Sequence, residues 1–422
     1  MDLLSTSLIG RGAWLLRKWS RQIWVRASLF SVAAVAVAAF SALAAPYIPA
    51  DLEIELASDS VGDILNILAS SMLAVTTFSL SIMVSAYSSA TSNVTPHSTK
   101  LLLSDSVAQN TLATFIGSFL FSIVGIIGLA AGLYSDSGRI ILFFATLVVI
   151  LIITAALLRW IEQLGKFGRM GDTIDRVEAA TTPPMRQWGR THRLGAQPAV
   201  PIPDAARAIT AKTVGHIQHI DMEKLAKIAD AHDLTIHIAA KAGSYMHAQR
   251  PMAFVEGQVD DEACDAIMAC FSTGTDREYD QDPRFGLIVL SEIASRALSP
   301  AVNDPGTAIE VVGAGLRCFL AYAEAGEERA EHNFRRLHGQ DLSVDDLFDA
   351  FFNPIARDGA ALIEVQMRIQ FALQALAENA PALFADAARK QAERAVTRAN
   401  EAMTIEHDRQ VLAKRAEWCT AG

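Results

Sequence analysis

The feature that most constrains this chain is the series of hydrophobic blocks in its first third, between about Trp24 and Trp160. Charged residues are nearly absent from these blocks, whereas the remaining two thirds have the mixed composition of an ordinary water-soluble domain. About 20 apolar residues are enough for a helix to cross the hydrocarbon core of a bilayer. Each block is expected to be helical, because lipid offers the backbone no hydrogen-bond partner. The sequence therefore predicts a multi-span membrane region with a large attached domain.

Four membrane-spanning helices are predicted. They cover roughly Val25–Tyr47, Ile64–Ser88, Val107–Tyr134 and Ile140–Trp160. Basic residues precede the first span and acidic residues follow it, so the positive-inside rule predicts a cytoplasmic N-terminus. Four spans return the chain to the same side, which predicts a multi-pass protein of the bacterial inner (plasma) membrane with both termini cytoplasmic. The first apolar run is too long for the core of a cleaved signal peptide.

The second span carries a row of hydroxyl side chains. They recur at helical spacing, at Thr77, Ser81, Ser85, Ser88 and Ser92, and Ser70 extends the same face. One interpretation is that this face lines a water-filled path through the membrane. The other is that the hydroxyls bond back to the helix's own carbonyls and allow close helix packing. The sequence leaves both interpretations open.

The third span is rich in glycine, which predicts close helix packing through Gly125, Gly128 and Gly132. No span carries an ionisable residue near its middle. Such residues usually mark proton relays and coupled ion sites, so their absence weighs against a proton-coupled transporter. An acidic segment follows the first span and contains Asp51, Glu53, Glu55, Asp59 and Asp63. One interpretation is that it concentrates cations at the outer mouth of a pore, and the other is that it only follows the positive-inside asymmetry of the chain.

The predicted fold class is an α-helical membrane protein with four transmembrane helices and a cytosolic, mostly helical α+β domain containing a small β module. The predicted domain order is a transmembrane domain over 1–165, a linker over 166–205, a β-rich module over 206–258 and a helical domain over 259–422. Thr181–Pro184 and Ala196–Pro203 are predicted to interrupt helices, because proline disrupts helix interiors. In the β-rich module, strands are expected at Thr213–Ile220, Leu234–Ala240 and Met252–Val255.

Helices are predicted through the rest of the chain. They cover Asp221–His232, Asp260–Phe271, Arg284–Leu298, Ala308–Tyr322, a short helix opened by Ser343, Pro354–Asn379 and Pro381–Trp418. Asp304 and Pro305 form the expected start of one of them, with Asp304 as N-cap. The alternative is a ligand or ion pocket at this turn, built from Asp282, Arg284, Arg296, Asn303 and Asp304.

Several segments carry a resemblance to a known family. They are Arg296–Ala308, Asp282–Leu287, Ser88–Pro96 with Asp105–Gln109, Ile116–Leu120 and Gly243–Met246. Together these resemble the domain-of-unknown-function 2254 family of predicted bacterial membrane proteins. His97 stands where the family pattern usually has a basic residue. The resemblance implies a multi-span N-terminal region and a cytosolic C-terminal domain, and it implies no activity.

The function classes narrow by elimination. The sequence contains no Walker loop, dinucleotide fingerprint, zinc motif or nucleophile elbow, so no enzyme, cofactor or metal site is predicted. A net charge of −10 argues against a nucleic-acid partner. The expected partners are the lipid bilayer, further copies of the chain, and an ion or small ligand. The prediction is an oligomeric channel-like or transport-related protein; the alternative is a membrane-anchored sensor or partner-binding protein whose cytosolic domain binds a ligand or protein.

Overall fold

The computed structural model describes residues 10–20, 23–43, 55–93, 95–103, 106–165, 169–328 and 334–420. The chain divides into an N-terminal unit, Leu16–Asp172, and a C-terminal unit, which is Thr173–Gly422 together with the segment ending at Leu15. The predicted end of the first span at Tyr47, the acidic residues Asp51 and Glu53, and Asp105 lie outside the described residues. The side chains of Glu55, Asp59 and Ser92 also lie outside them.

The described N-terminal unit is helical. Its helices are α1 (Arg11–Ser20), which starts in the C-terminal unit, α2 (Ile23–Leu43), α3 (Glu55–Asn93), α4 (Pro96–Leu103), α5 (Ser106–Ala130) and α6 (Asp136–Leu164). Long apolar stretches in α3, α5 and α6 could each cross a bilayer, which confirms the second, third and fourth predicted spans as helices of spanning length. The described part of α2 contributes a shorter apolar stretch, Trp24–Val37.

Helix α5 forms the centre of the N-terminal unit. Phe115 and Phe121 of α5 are fully buried, and the apolar face of α3 packs against them through Leu65 and Leu68. Leu142 of α6 joins the same core. More than half of the apolar stretch of α5 is buried (56%), against 22% for α3 and 17% for α6. Helices α3 and α6 therefore expose most of their surfaces, as spans in contact with lipid or with other helices do.

The glycines of α5 support only part of the packing prediction. A side chain at Gly125 would meet Leu65 at 2.9 Å, and one at Gly128 would meet Tyr134 at 2.5 Å, so both positions need glycine for close contact. Gly132 has another role, because it lies beyond the end of α5 with φ +67° and nothing within 4 Å. Its N–H donates to Leu129 O, which is the usual glycine-terminated helix end. Gly132 therefore makes no close helix contact within the described part of one chain, and its packing between subunits stays a prediction.

The C-terminal unit contains two sheets. The strands are β1 (Ala196–Pro198), β2 (Arg207–Thr210), β3 (Gly215–Ile220), β4 (Thr235–Ile238), β5 (Tyr245–Met246), β6 (Pro251–Glu256), β7 (Phe271–Gly274) and β8 (Phe334–Gly339). The larger sheet has the order β1-β8-β4-β6-β2, and the smaller has the order β5-β3-β7. Strands β1, β8 and β4 run parallel, whereas β6 runs antiparallel to both β4 and β2.

The predicted strands of the β-rich module are confirmed as β3, β4 and β6. Strands β4 and β6 pair antiparallel, with Ile238 opposite Ala253. Helix α8 (Met222–Ala231) follows β3, and Asp221 caps it as predicted by accepting from Lys224 N at 3.0 Å. Helix α9 (Asp261–Met268) is shorter than predicted, because Phe271 begins β7 instead of ending a helix.

The rest of the unit is helical. Its helices are α10 (Pro283–Ala297), α11 (Pro305–Glu327), α12 (Val344–Asp358), α13 (Ile363–Asn379), α14 (Pro381–Ala402), α15 (Glu406–Arg415) and α16 (Glu417–Thr420). They enclose an aromatic core of five fully or almost fully buried side chains: Phe319, Phe348, Phe351, Phe352 and Phe384. The helices predicted to start at Pro354 and to run unbroken from Pro381 to Trp418 are wrong. Pro354 lies inside α12, and Met403 ends α14 in extended conformation.

Helix α7 (Met170–Arg190) corrects the predicted linker. It runs through Pro183 and Pro184, the stretch that was expected to interrupt a helix. Each internal proline costs about 3 kcal/mol of helix stability. The apolar face of α7 offsets this cost, since Ile174, Met185 and Trp188 are buried in the C-terminal unit. Tertiary packing has therefore overridden a strong local signal.

Candidate functional site

The hydroxyl row of α3 lies on the exposed face of that helix. Thr77, Ser81, Ser85 and Ser88 are all exposed, and Ser70 extends the row towards the start of the helix. The opposite face of α3 is the one packed against α5 and α6. Among the described residues, the row therefore lines no path inside one chain, and its exposed face can meet lipid, water or another chain.

Some of these hydroxyls are already bonded to the helix backbone. Thr77 Oγ1 donates to Leu73 O at 2.5 Å, Ser81 Oγ to Thr77 O at 3.0 Å, and Ser70 Oγ to Asn66 O at 2.9 Å. Each such bond satisfies the hydroxyl donor and leaves lone pairs on the oxygen. The structure thus realises the back-bonding interpretation at three positions, while the exposed oxygens remain able to accept hydrogen bonds.

The predicted pocket at the α10–α11 turn is an exposed loop held by a helix cap. Asp304 Oδ1 accepts from Thr307 N at 3.1 Å, and Thr307 Oγ1 donates to Asp304 Oδ2 at 2.6 Å. These bonds lower the pKa of Asp304, the hydroxyl bond most of all. Asn303 has a left-handed backbone (φ 51°), which asparagine tolerates better than most residues. The N-cap role of Asp304 is confirmed.

Asp282 forms a separate, buried centre at the other end of α10. Its side chain caps α10 by accepting from Phe285 N at 3.1 Å, and Arg277 pairs with it at 2.6–2.8 Å. Burial raises the pKa of Asp282, although Arg277 opposes that shift. The Arg277 guanidinium also lies 4.9 Å from the Phe285 ring centroid. Asp282 therefore has a clear structural role as a paired cap.

The five residues grouped as a pocket are not brought together. Asp282 precedes α10 and Asp304 follows it, and a helix of 15 residues spans about 22 Å. Arg284 and Arg296 are both exposed, on the first and last turns of α10. The single pocket is wrong as a geometric unit, because a rigid helix separates its two ends; ligand binding at either end stays a prediction.

A cluster that sequence reasoning missed surrounds Asp341, just after β8. His192 Nδ1 lies 2.6 Å from Asp341 Oδ2, and Arg193 Nη1 donates to the same oxygen at 3.2 Å. Lys241, just after the neighbouring parallel strand β4, donates to the main-chain oxygen of Asp341. Burial lowers the pKa of Lys241. Three potentially cationic groups thus meet Asp341, two at its carboxylate and one at its main-chain oxygen, at the carboxyl ends of two parallel strands, where α/β proteins commonly bind ligands.

The backbone beside this cluster is unusual. Arg193 (φ 56°) and Leu194 (φ 54°) both adopt left-handed conformations, which cost non-glycine residues about 1–2 kcal/mol each. Leu194 is buried, and its packing helps to hold the strained turn. No local motif announces this cluster, because Arg193, Lys241 and Asp341 are far apart in the chain. Only strand pairing brings them together.

A cleft lies near this cluster, between the ends of α7, α11 and α13. Its volume is ≈ 510 Å³, and His192 and Tyr322 are among its lining residues. Tyr322 is only 3% exposed, and burial raises its pKa to about 12. His192 thus belongs both to the Asp341 cluster and to the cleft wall.

The start of α1 contributes a long-range contact within the C-terminal unit. Trp14 is 4% exposed; its Nε1 donates to Asp280 Oδ2 at 3.0 Å, and its ring stacks on His219 with centroids 5.2 Å apart.

The four cysteines, Cys264, Cys270, Cys318 and Cys419, are free thiols and all are buried.

Known proteins similar to this chain carry no assigned activity in their names. An uncharacterized protein of Mycobacterium bovis and one of Mycobacterium tuberculosis H37Rv are each 28% identical over 226 residues, which is 50% of this chain and 43% of theirs. The match thus spans less than half the length of these relatives. No solved structure matches the chain.

The family comparison covers much more of the molecule. A family model described as a predicted membrane protein of domain of unknown function 2254 matches residues 20–375. The match begins before α2 and ends within α13, so it includes the apolar helices and both sheets. The chain belongs to this DUF2254 family of predicted membrane proteins.

Proposed function

We propose that this protein is an oligomeric, channel-like protein in which α3 of each copy faces a path through the membrane. The observation that supports this is the exposed face of α3, with Thr77, Ser81, Ser85 and Ser88 aligned along it. Polar groups in a bilayer are expected to face protein or water instead of lipid. Because α3 packs its opposite face against α5 and α6, we take the partner for the hydroxyl face to lie outside the described part of this chain.

A second copy of the chain is the partner we propose. Most membrane and soluble oligomers are symmetric, and a ring of copies places the same face of α3 around a common axis. Oxygen atoms along that face would then replace part of the hydration of a permeating ion. Asp63, exposed near the start of α3, would add negative charge at one mouth of the path.

The membrane orientation we propose has both termini in the cytoplasm of the bacterial inner membrane. Trp14 supports the placement of the two termini on one side, because the start of α1 packs within the same compact unit as residues 173–422. The basic residues Arg11, Arg17 and Lys18 belong to the same helix, and the positive-inside rule assigns them to the cytoplasm.

The test is ion flux through liposomes that contain the full-length protein, compared with the Ser81→Leu/Ser85→Leu variant. We expect the wild-type protein to conduct and the variant to lose at least 90% of the flux, about a tenfold change, because leucine removes two oxygens and narrows the path. Potassium, sodium and chloride gradients are tested in turn, so that the same preparation shows whether the permeant ion is a cation or an anion.

Thr154→Leu is the matched control. Thr154 is also exposed on a predicted span and donates to its own helix, to Ile150 O at 2.9 Å, yet it lies on α6 instead of α3. This variant should conduct like the wild type. Equal flux in the Ser81/Ser85 variant, or no flux in any gradient, would remove the support for the channel, and cross-linking of α3 would then test helix packing without a path.

The second candidate function is a membrane-anchored sensor, favoured by the cleft in the C-terminal unit. In that case the N-terminal unit anchors the protein, and ligand binding in the C-terminal unit carries the signal. Replacing Ser81 and Ser85 distinguishes the two candidate functions, because a sensor would still bind its ligand normally in that variant.

A further inference from the structure

The cleft has the size and lining of a small-molecule site. Its ≈ 510 Å³ falls within the range of about 300–1,000 Å³ typical of ligand pockets. The wall is apolar along one part, with Leu320, Pro381 and Leu383, and polar along another, with His192, Glu324 and Glu327. An apolar wall with a few convergent polar groups is the arrangement that orients an amphiphilic small molecule.

The charged side chains of the cleft are negative and available. Glu324 and Glu327 are both exposed, and within the described residues neither forms a salt bridge. The nearby cation Arg190 is already engaged, since its guanidinium lies 2.5 Å from the carboxylate of Glu328. Arg193 is likewise paired, with Asp341. The lining therefore presents two carboxylates that a cationic ligand could neutralise.

The helix ends around the cleft add negative potential. Helices α7, α11 and α13 contribute lining residues from their last turns, among them Gly189, Glu327 and Asn379. The C-terminal end of a helix carries about half a negative charge on its unpaired carbonyls. Helix α14 brings its N-terminus, but its first residue is Pro381, which has no N–H to offer. The balance of backbone dipoles thus favours a cation.

Tyr322 supplies an independent sign that a ligand group is accommodated here. It lines the cleft, only 3% of the residue is exposed, and among the described residues its hydroxyl has no hydrogen-bond partner. The hydroxyl oxygen is not fully buried, so it is open to a hydrogen bond from water or from a ligand in the cleft. A ligand N–H would provide the missing donor. His192, held by Asp341 through Nδ1, keeps its second ring nitrogen for the same environment.

We propose that this cleft binds an organic cation, an ammonium or guanidinium group carried on a short apolar chain. Glu324 and Glu327 neutralise the cationic group, the Tyr322 oxygen accepts from it, and the apolar chain lies along Leu320 and Leu383. This inference goes beyond the channel proposal and does not depend on α3 lining a path. It supplies the chemical class of the ligand that the sensor function requires.

The experiment is calorimetric titration of the full-length protein in detergent with agmatine, which carries one ammonium and one guanidinium. The compound 4-guanidinobutyrate is the matched probe, because it keeps the guanidinium and chain but carries a carboxylate in place of the ammonium. We expect agmatine to bind and 4-guanidinobutyrate to bind at least about tenfold more weakly, since charged hydrogen bonds are the strongest in such sites.

The site is assigned by two double variants of equal charge. Glu324→Gln/Glu327→Gln should weaken agmatine binding at least about tenfold. Glu393→Gln/Glu401→Gln, on the exposed face of α14, should leave it unchanged. Tyr322→Phe should weaken binding without changing the net charge. Absence of agmatine binding, equal loss in both double variants, or equal binding of the two probes would each overturn the proposal. Thermal unfolding of every variant shows that it is folded before titration.

Discussion

Helices α3 and α11 look alike in composition and behave differently in the structure. Both are long and apolar enough to cross a membrane, with peak mean hydropathies of 1.9 and 1.2. Yet α3 buries only 22% of its apolar stretch, whereas α11 buries 56%. Large side chains such as Leu73 and Phe78 are exposed on α3, while Phe319 of α11 is fully buried among other aromatic rings. Length and hydropathy therefore do not separate α3 from α11, whereas burial does. Burial is not a general criterion for a span, because the predicted span in α5 is also 56% buried.

The difference between α3 and α11 is tested most directly by removing one aromatic ring from each helix. Phe319→Ala should lower the free energy of unfolding of the C-terminal unit by about 3–5 kcal/mol, because it leaves a cavity in the aromatic core. Phe78 is 68% exposed, so Phe78→Ala should change the free energy of unfolding of the N-terminal unit by less than about 0.5 kcal/mol. Hydrogen exchange in the full-length protein measures both effects, from α11 amides in the Phe319 variant and from α3 amides in the Phe78 variant. A small effect at Phe319 would mean that α11 is not a core helix.

Two glycines on α11 test how closely this helix is packed. A Cβ at Gly315 would lie 2.0 Å from Phe351 Cζ, whereas one at Gly313 would meet only the end of the Arg317 side chain at 3.6 Å. Gly315→Ala should therefore destabilise the unit by about 1–3 kcal/mol through overpacking. Gly313→Ala should be neutral or stabilising by up to about 1 kcal/mol, since alanine favours helix. Denaturant unfolding of the two variants gives the comparison, and equal effects would contradict the close packing of α11 on α12.

The smallest expected loss of stability comes from removing the N-cap of α11, Asp304. Asp304→Ala should cost about 0.5–2 kcal/mol, because Thr307 loses its partner for two hydrogen bonds. The pKa of Asp304 is lowered in the folded protein, so the charge-dependent part of the cap is fully present above the ordinary value of 3.8 and is lost as the pH falls through the lowered pKa of the folded state. Unfolding measured at pH 7 and at pH 3 should show a larger stability difference between wild type and variant at the higher pH. Asp304→Asn, which keeps an acceptor, should retain most of the cap.

The short-range features of this chain were predictable from sequence. The apolar blocks gave α3, α5 and α6, and the alternation around Ile236 gave β4. Asp221, Asp304 and Ser343 were recognisable as helix caps, since a cap depends on residues only three positions apart. The hydroxyl face of α3 was likewise predictable, because helical spacing alone places its members on one side.

Other features depend on residues that are far apart in the chain, and these are visible only in the tertiary structure. Burial of Ile174 and Trp188 carried α7 through two prolines that the local sequence would have made a break. Strand pairing brought Lys241 to Asp341, and a rigid helix kept Asp282 away from Asp304. The cleft likewise exists only because three helix ends meet at one place. Local propensity and periodicity act over a few residues and are written in the sequence, whereas burial and charge pairing depend on which distant segments the fold brings into contact.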